Sequence, residues 1–171
     1  MTFETIYHTY KDMVYNLALQ YVQNSEEAEE VAQDVFMKVY KKALGFKGKS
    51  TSKTWVYRIT VNTSLDYIKA KNRNKRQGLL RAVRMDDDAT NVTVVHFDHP
   101  GVALEQKEAI AHIFKGINRL SKNQKTIIIL LKIEGLPLKE VSEILNINDK
   151  AAESLFQRAK NNLKKLLEQN E

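Results

Sequence analysis

Residues 136–160 read LPLKEVSEILNINDKAAESLFQRAK, and this stretch decides the fold of the C-terminal part of the chain. Val141 and Leu145 form an apolar row at four-residue spacing, which is typical of a short amphipathic helix. Asn146 stands where a tight turn needs a positive φ, and Asn148 can cap a following helix. A second helix presented in this way fits the major groove of DNA. The pattern therefore predicts a helix-turn-helix, and a plain helical hairpin in a bundle is the alternative.

Helical periodicity also covers the N-terminal half of the chain. Apolar residues recur at helical spacing from Phe3 to Tyr21 and again from Ala28 to Leu44. Asn24 and Ser25 separate these two segments, and a third helix is predicted from about Thr51 to about Asn72.

The pattern is lost over residues 78–100 and returns from about Val102. We therefore expect an all-α protein of two small helical domains joined by a flexible linker, the second a helix-turn-helix domain. The predicted bounds are 1–77 for the first domain, 78–102 for an acidic linker and 103–171 for the second domain.

Composition restricts the kind of protein this can be. The chain of 171 residues contains no cysteine, which excludes disulfides and thiolate metal sites. We find no signal pattern and no apolar run long enough to span a bilayer, so a cytoplasmic protein without membrane insertion is expected. The net charge of +6 favours a polyanionic partner.

The second predicted helix is acidic in its first half, which carries Glu26, Glu27, Glu29, Glu30 and Asp34. The helix dipole favours acids at this end, and that effect is one explanation. Five acids in ten residues exceed what capping needs, so a face that docks on another protein is the other explanation.

The following segment is strongly basic and contains a candidate surface for unpaired DNA. Residues 38–77 hold twelve Lys or Arg and one acid. On the third helix, Trp55 and Asn62 lie within about 40° of each other, flanked by Arg58 and Lys69. Such a stripe can stack on a base and hold its backbone. A partly buried packing role for Trp55 is the alternative.

Together these segments resemble bacterial RNA polymerase sigma factors, specifically the extracytoplasmic-function (ECF) class of the sigma-70 family. Residues 27–36 (EAEEVAQDVF) resemble the family's helix that docks on core polymerase. Residues 46–50 (FKGKS) and 54–59 (TWVYRI) resemble the element that melts and reads the minus-ten sequence. Residues 136–167 resemble the domain that reads minus-thirty-five.

The resemblance implies three sets of binding residues. The core polymerase-binding set is Glu27, Glu29, Glu30, Gln33, Asp34 and Phe36. The minus-ten DNA-binding set is Phe46, Lys47, Lys49, Ser50, Trp55, Arg58, Asn62 and Lys69. The minus-thirty-five DNA-binding set is Lys150, Ala151, Glu153, Ser154, Gln157 and Arg158. The implied partners are core RNA polymerase, double-stranded promoter DNA, the melted non-template strand and an anti-sigma factor, and no cofactor is implied.

Three residues depart from the family's usual pattern. Ser52 stands where many relatives have an aromatic residue, and Glu153 and Leu155 stand where many have basic residues. These differences affect promoter preference, so a consensus promoter cannot be transferred from relatives. The acidic linker can mimic nucleic acid in polymerase channels or serve as a solvated tether.

Two other classes of protein fit the sequence less well. A helix-turn-helix regulator that acts without core polymerase accounts for the C-terminal motif but leaves the N-terminal charge pattern unexplained. An enzyme is disfavoured because the metal-like clusters, Asp86–Asp88 and His96 with His99, both fall in the linker. No catalytic residue and no metal site are therefore predicted.

Overall fold

The computed structural model describes residues 2–43, 48, 50–83 and 104–169, and the regular structure within them is helical. The helices are α1 (Phe3–Val22), α2 (Ser25–Ala43), α3 (Ser52–Val83), α4 (Leu104–Arg119), α5 (Lys122–Ile128), α6 (Leu138–Leu145) and α7 (Asp149–Glu168). A π-helical turn, Ile129–Ile133, continues α5. The prediction of an all-α protein with two helical domains is confirmed.

The first domain consists of α1, α2 and α3, which pack against one another around an aliphatic core. Its buried residues include Val14, Val31, Val35, Val39 and Val56. The break between α1 and α2 follows from local chemistry. The backbone N–H of Glu27 donates to Asn24 Oδ1 at 2.9 Å, so Asn24 caps α2 as its sequence position predicts.

The helix-turn-helix of the second domain has the predicted turn. Asn146 ends α6 in the left-handed conformation with φ of 56°. Asn148 Oδ1 accepts a hydrogen bond from the backbone N–H of Ala151 at 2.8 Å and so caps α7. The small residue Ser142 is buried, and its hydroxyl donates to the Lys139 carbonyl at 2.8 Å.

The third helix is longer than predicted. It continues past Asn72 to Val83, although residues 72–79 are all exposed. Lys, Arg, Gln and Leu are good helix formers, which favours continuation of the helix through these exposed positions. The segment expected to be a linker thus begins in helical conformation. Residues 84–103, which include most of that segment and both metal-like clusters, lie outside the described residues.

The two domains share one apolar cluster, which the sequence did not predict. Leu17, Tyr21 and Tyr57 of the first domain belong to the same buried cluster as Ile117 and Ile127 of the second. The Tyr21 hydroxyl donates to Thr126 Oγ1 at 2.9 Å within this seam. The helices that carry these residues therefore pack as one body.

A buried cation lies at the same seam. Lys125 is 6% exposed, and its Nζ donates to the Tyr21 carbonyl at 3.2 Å and to Asn118 Oδ1 at 2.7 Å. The Nζ also lies 5.4 Å from the centroid of the Tyr21 ring. Burial lowers the pKa of Lys125 to about 8.

The turn chemistry yields a first prediction. Asn146→Val should destabilise the chain by about 1–3 kcal/mol, because a β-branched residue fits poorly at positive φ. Asn146→Gly should be nearly neutral, since glycine adopts this conformation without strain. Denaturant unfolding of the two variants measures the difference. Equal losses of stability in both would show that Asn146 acts through its side chain and not through its backbone.

The pKa of Lys125 yields a second prediction. Between about pH 8 and its ordinary value near 10.5, Lys125 binds fewer protons in the folded chain than in the unfolded chain. Its contribution to stability should therefore rise with pH, at up to about 1.4 kcal/mol per pH unit. The free energy of unfolding of the native chain, minus that of Lys125→Met, should increase from pH 8 to pH 9.

If the difference in free energy of unfolding between the native chain and Lys125→Met stays constant from pH 8 to pH 9, the lowered pKa of Lys125 is contradicted. The interval ends at pH 9 because burial raises the pKa of Tyr21. Tyr21 should therefore lower stability at higher pH in both proteins, where the unfolded chain ionises first.

Candidate nucleic-acid interface

Helix α7 has one buried face and one exposed face. Ala152 and Ala159 are fully buried, and Leu155 and Phe156 are partly buried. All residues of the predicted minus-thirty-five set are exposed on the described surface, namely Lys150, Ala151, Glu153, Ser154, Gln157 and Arg158. The first turns of α7 therefore present donors, acceptors and cations together, as direct reading of base edges requires.

Two lysines add positive charge beside this helix. The Nζ atoms of Lys132 and Lys160 lie 5.3 and 5.4 Å from the centroid of the Phe156 ring. The ring can hold both cations by cation–π attraction. Sequence reasoning missed this pair because Lys132 comes from the π-helical turn and meets Phe156 only in the folded domain.

The predicted minus-ten stripe on α3 is only partly open to solvent. Asn62 and Lys69 are exposed, whereas Trp55 and Arg58 are partly buried. Trp55 packs against the apolar core of the first domain. It therefore has a packing role, the alternative that the sequence left open. Ser50 is partly buried, and Phe46, Lys47 and Lys49 lie outside the described residues.

Arg58 faces the second domain. Its guanidinium donates to the backbone carbonyls of Glu143 and Ile144, with Nε at 3.1 and 3.3 Å and Nη2 also on Glu143. These carbonyls lie in the last turn of α6, where acceptors lack the usual i+4 helical donor; the Glu143 carbonyl also accepts from the backbone N–H of Asn146 at 3.2 Å. Arg58 and Asn62 also line a cleft of about 410 Å³ together with Asn123 of α5.

The acidic residues of α2 fall into two groups. Glu27 forms an ion pair with Lys71, and Glu30 accepts a hydrogen bond from the Tyr67 hydroxyl at 3.1 Å. Burial and this carboxylate raise the pKa of Tyr67 to about 12. These two acids thus bind α3 within the domain. Glu29 is exposed, as are the other predicted residues Gln33 and Asp34.

Glu29 and Gln33 border an aromatic groove between α1 and α2. The groove has a volume of about 720 Å³, and its apolar lining includes Phe3, Tyr7, Phe36, Met37 and Tyr40. Met37 is 55% exposed and Tyr40 is 63% exposed, whereas the predicted contact residue Phe36 is 8% exposed. The groove therefore presents apolar side chains that the predicted set did not contain.

The rings of the groove support one another. The centroids of Tyr7 and Phe36 are 4.8 Å apart, and those of Phe3 and Tyr40 are 5.3 Å apart, both edge to face. Part of this surface could have been predicted from the sequence, because Met37 is an apolar residue that lies outside the buried face of α2.

Comparison with known proteins agrees with this geometry. The Sigma-70 region 2 family model matches residues 6–74, and the Sigma-70 region 4 model matches residues 113–163. The ECF RNA polymerase sigma factor SigW of Bacillus subtilis is 32% identical over 168 residues, covering 96% of this chain and 88% of SigW. The chain belongs to the ECF class of the sigma-70 family.

Other proteins are similar over almost the whole length of this chain. The RNA polymerase sigma-H factor of Pseudomonas aeruginosa is 25% identical, covering 97% of this chain and 86% of that protein. The sigma factor RpoE of Bartonella quintana, solved with the anti-sigma factor NepR, has a TM-score of 0.64 at 20% identity and matches 97% of this chain and 96% of its own. That structural likeness confirms the fold.

Two other kinds of site are absent from the described ranges. Residues 2–43, 50–83 and 104–169 contain no helix long and apolar enough to cross a membrane. The same ranges hold no group of three or more His, Asp or Glu side chains placed to bind a metal.

Proposed function

We propose that this sigma factor binds core RNA polymerase and directs promoter-specific initiation by recognising two promoter elements and melting DNA. The observation that carries the proposal is the division of α7 into a buried face and an exposed face. The exposed face holds the residues expected to read minus-thirty-five, among them Gln157 and Arg158. Any surface helix exposes polar side chains; α7 differs because it follows the tight turn at Asn146, as the second helix of a helix-turn-helix does.

The minus-ten element is assigned to α3. Asn62 and Lys69 are exposed and can reach a separated strand, and Trp55 keeps part of its indole surface accessible. The basic extension of α3 beyond Asn72 prolongs this surface with cations that can follow phosphates.

Core docking is assigned to the aromatic groove between α1 and α2. Glu29 and Gln33 supply its polar border, Asp34 lies on the same helix, and Met37 and Tyr40 supply exposed apolar area. An apolar groove with polar groups at its border suits an amphipathic helix, such as those of the coiled coil of the largest polymerase subunit. An anti-sigma factor is proposed as a further partner that competes for these surfaces.

A regulator that acts without core polymerase is the rival function. Transcription in vitro on a genomic fragment library distinguishes the two, because a sigma factor should direct initiation at defined sites only when core polymerase is present. Specific DNA binding by the isolated chain, with no effect on initiation by core polymerase, would favour the rival.

Core docking yields a third prediction. Glu29→Lys combined with Met37→Ser should weaken binding to core polymerase at least tenfold, because it removes exposed apolar area and reverses a charge at the groove. Both residues are exposed, so thermal stability should change little. Glu26→Lys makes the same charge change on the same helix outside the groove and is the matched control. Titration of labelled protein with core polymerase measures the effect, and equal affinity of both variants would refute the assignment.

Sequence reading by α7 yields a fourth prediction. Gln157→Ala should cost about 1–3 kcal/mol at one promoter position, as expected for loss of a base contact. Arg158→Ala should weaken binding at all sequences and reduce the salt slope by about one if it contacts phosphate. Lys164→Ala, near the exposed C-terminal end of α7, is the control. If holoenzymes that contain each of the three variants select the same promoters, α7 is not the reading helix.

DNA melting yields a fifth prediction. Asn62→Ala should reduce open-complex formation on linear promoter DNA, because a hydrogen bond to the separated strand is lost. Trp55→Ala should do the same through loss of about 1–3 kcal/mol of base stacking. A template with a pre-melted bubble should rescue both variants.

Because Trp55 also packs in the first domain, Trp55→Ala is expected to lower the melting temperature, whereas the exposed Asn62 is not. Asn62→Ala is therefore the cleaner variant. A normal melting temperature together with normal open-complex formation in Asn62→Ala would remove this residue from the minus-ten surface.

A further inference from the structure

Two lysines at one edge of the reading face of α7 share one aromatic ring. The Nζ atoms of Lys132 and Lys160 lie 5.3 and 5.4 Å from the centroid of the Phe156 ring, so the two ammonium groups are no farther apart than the sum of these distances. Both lysines are exposed, and neither forms an ion pair within the described part of the chain. Two like charges are thus held close together without a carboxylate to neutralise them.

The ring that both lysines share has a fixed position. Phe156 is partly buried and packs against the apolar cluster of the second domain. Lys160 follows it by one turn of α7, and Lys132 approaches it from the π-helical turn. Cation–π attraction to a ring that cannot move restricts two side chains that would otherwise sample many rotamers. Phe156 therefore orders both ammonium groups before any partner binds.

Lys160 lies on the same side of α7 as part of the predicted reading set. At 100° per residue, it falls within about 20° of Glu153 and about 60° of Gln157. It follows Lys150 by ten residues, which corresponds to about 15 Å along the helix axis. A reading helix contacts bases with its N-terminal residues, and the major groove is about 12 Å wide and 8.5 Å deep. Lys160 therefore lies at the rim of the groove, where the nearest groups are phosphates.

The charge at this edge of α7 favours an anion. Glu153 is the acid of the predicted reading set, and it is exposed on this side. Its carboxylate repels phosphates, and the two lysines more than offset that repulsion. A lysine ammonium is a compact charge with three donors, which suits a single phosphate oxygen. Successive phosphates of one strand rise by about 3.4 Å along the axis, so lysines that share one ring can reach the same strand.

We propose that Lys132 and Lys160, ordered by the Phe156 ring, bind the phosphates of one DNA strand at the rim of the groove that α7 reads. The inference rests on the proposed function. It adds two cations to the minus-thirty-five set and makes Phe156 a positioning residue that acts through them. Contacts to phosphate fix the position of a protein on DNA and carry no base preference. The two lysines therefore set where α7 sits, and residues such as Gln157 determine which sequence it reads.

The salt dependence of promoter binding tests the two lysines. Lys132→Gln with Lys160→Gln should reduce the slope of log K against log salt by about 1.8, which is about 0.9 for each lost phosphate contact. The holoenzyme is titrated with a labelled promoter duplex that contains minus-thirty-five and ends before minus-ten, so that melting does not contribute. Lys115→Gln with Lys164→Gln removes the same charge from exposed positions of α4 and α7 and is the matched control. The control should keep the native slope.

Three results would contradict this account. An unchanged slope in the variant without Lys132 and Lys160, with promoter-specific binding retained, would overturn the inference alone. An equal decrease in the control would show that only net charge matters, and would overturn it as well. If the holoenzyme with the native chain shows no preference for promoter duplexes, the proposed function is wrong and the inference falls with it.

Combined changes test the positioning role of Phe156. Phe156→Leu keeps an apolar side chain against the core and removes the ring. It should weaken duplex binding severalfold in the native chain and have no effect in the chain that already lacks Lys132 and Lys160, because the ring acts through them. A purely structural role predicts the same loss in both chains, and that result would contradict the positioning role.

Neutral phosphate analogues test the contact with the DNA backbone directly. Single phosphates beside the minus-thirty-five element are replaced in turn by methylphosphonates, which carry no charge. At one or two adjacent positions, the replacement should weaken binding of the native holoenzyme severalfold and leave the variant without Lys132 and Lys160 unaffected. Equal losses in both proteins at every position would overturn the phosphate contact.

Discussion

Burial of the end of α1 against α5 is the interaction on which the arrangement of the chain depends. Tyr21 is almost fully buried there, its hydroxyl donates to Thr126, and its carbonyl accepts from Lys125. Burying a hydroxyl and an ammonium group is costly unless each has hydrogen-bond partners. Few alignments of the two domains satisfy the hydrogen bonds of these polar groups, whereas a purely apolar seam would permit many alignments.

This seam determines which functional surfaces are open. The reading face of α7 and the groove between α1 and α2 point away from it and stay accessible. The stripe on α3 lies beside it, and Arg58 is bonded to α6. The proposed polymerase-docking and duplex-reading surfaces are therefore open, and on the α3 stripe Asn62 and Lys69 are exposed whereas Arg58 is engaged by α6.

The sequence could predict those parts of the fold that depend on local chemistry. Asn146 at positive φ and Asn148 as a cap are properties of single residues and their neighbours, and both predictions are confirmed. The seam could not be predicted in this way, because Tyr21 and Thr126 are 105 positions apart. The same limit applies to the sites. Exposure of the predicted α7 residues followed from helical periodicity, but the ion pair of Glu27 with Lys71 and the burial of Phe36 depend on how helices pack.

The central claim is that the two domains form one body through the Tyr21 seam. Small-angle X-ray scattering of the free chain tests this claim most directly. A compact chain of this length should have a radius of gyration of about 16 Å. Two separate domains on a twenty-residue tether should exceed about 20 Å and give a distance distribution with a second maximum. A compact value with a single maximum is the result expected here, and the larger value with two maxima would contradict the account.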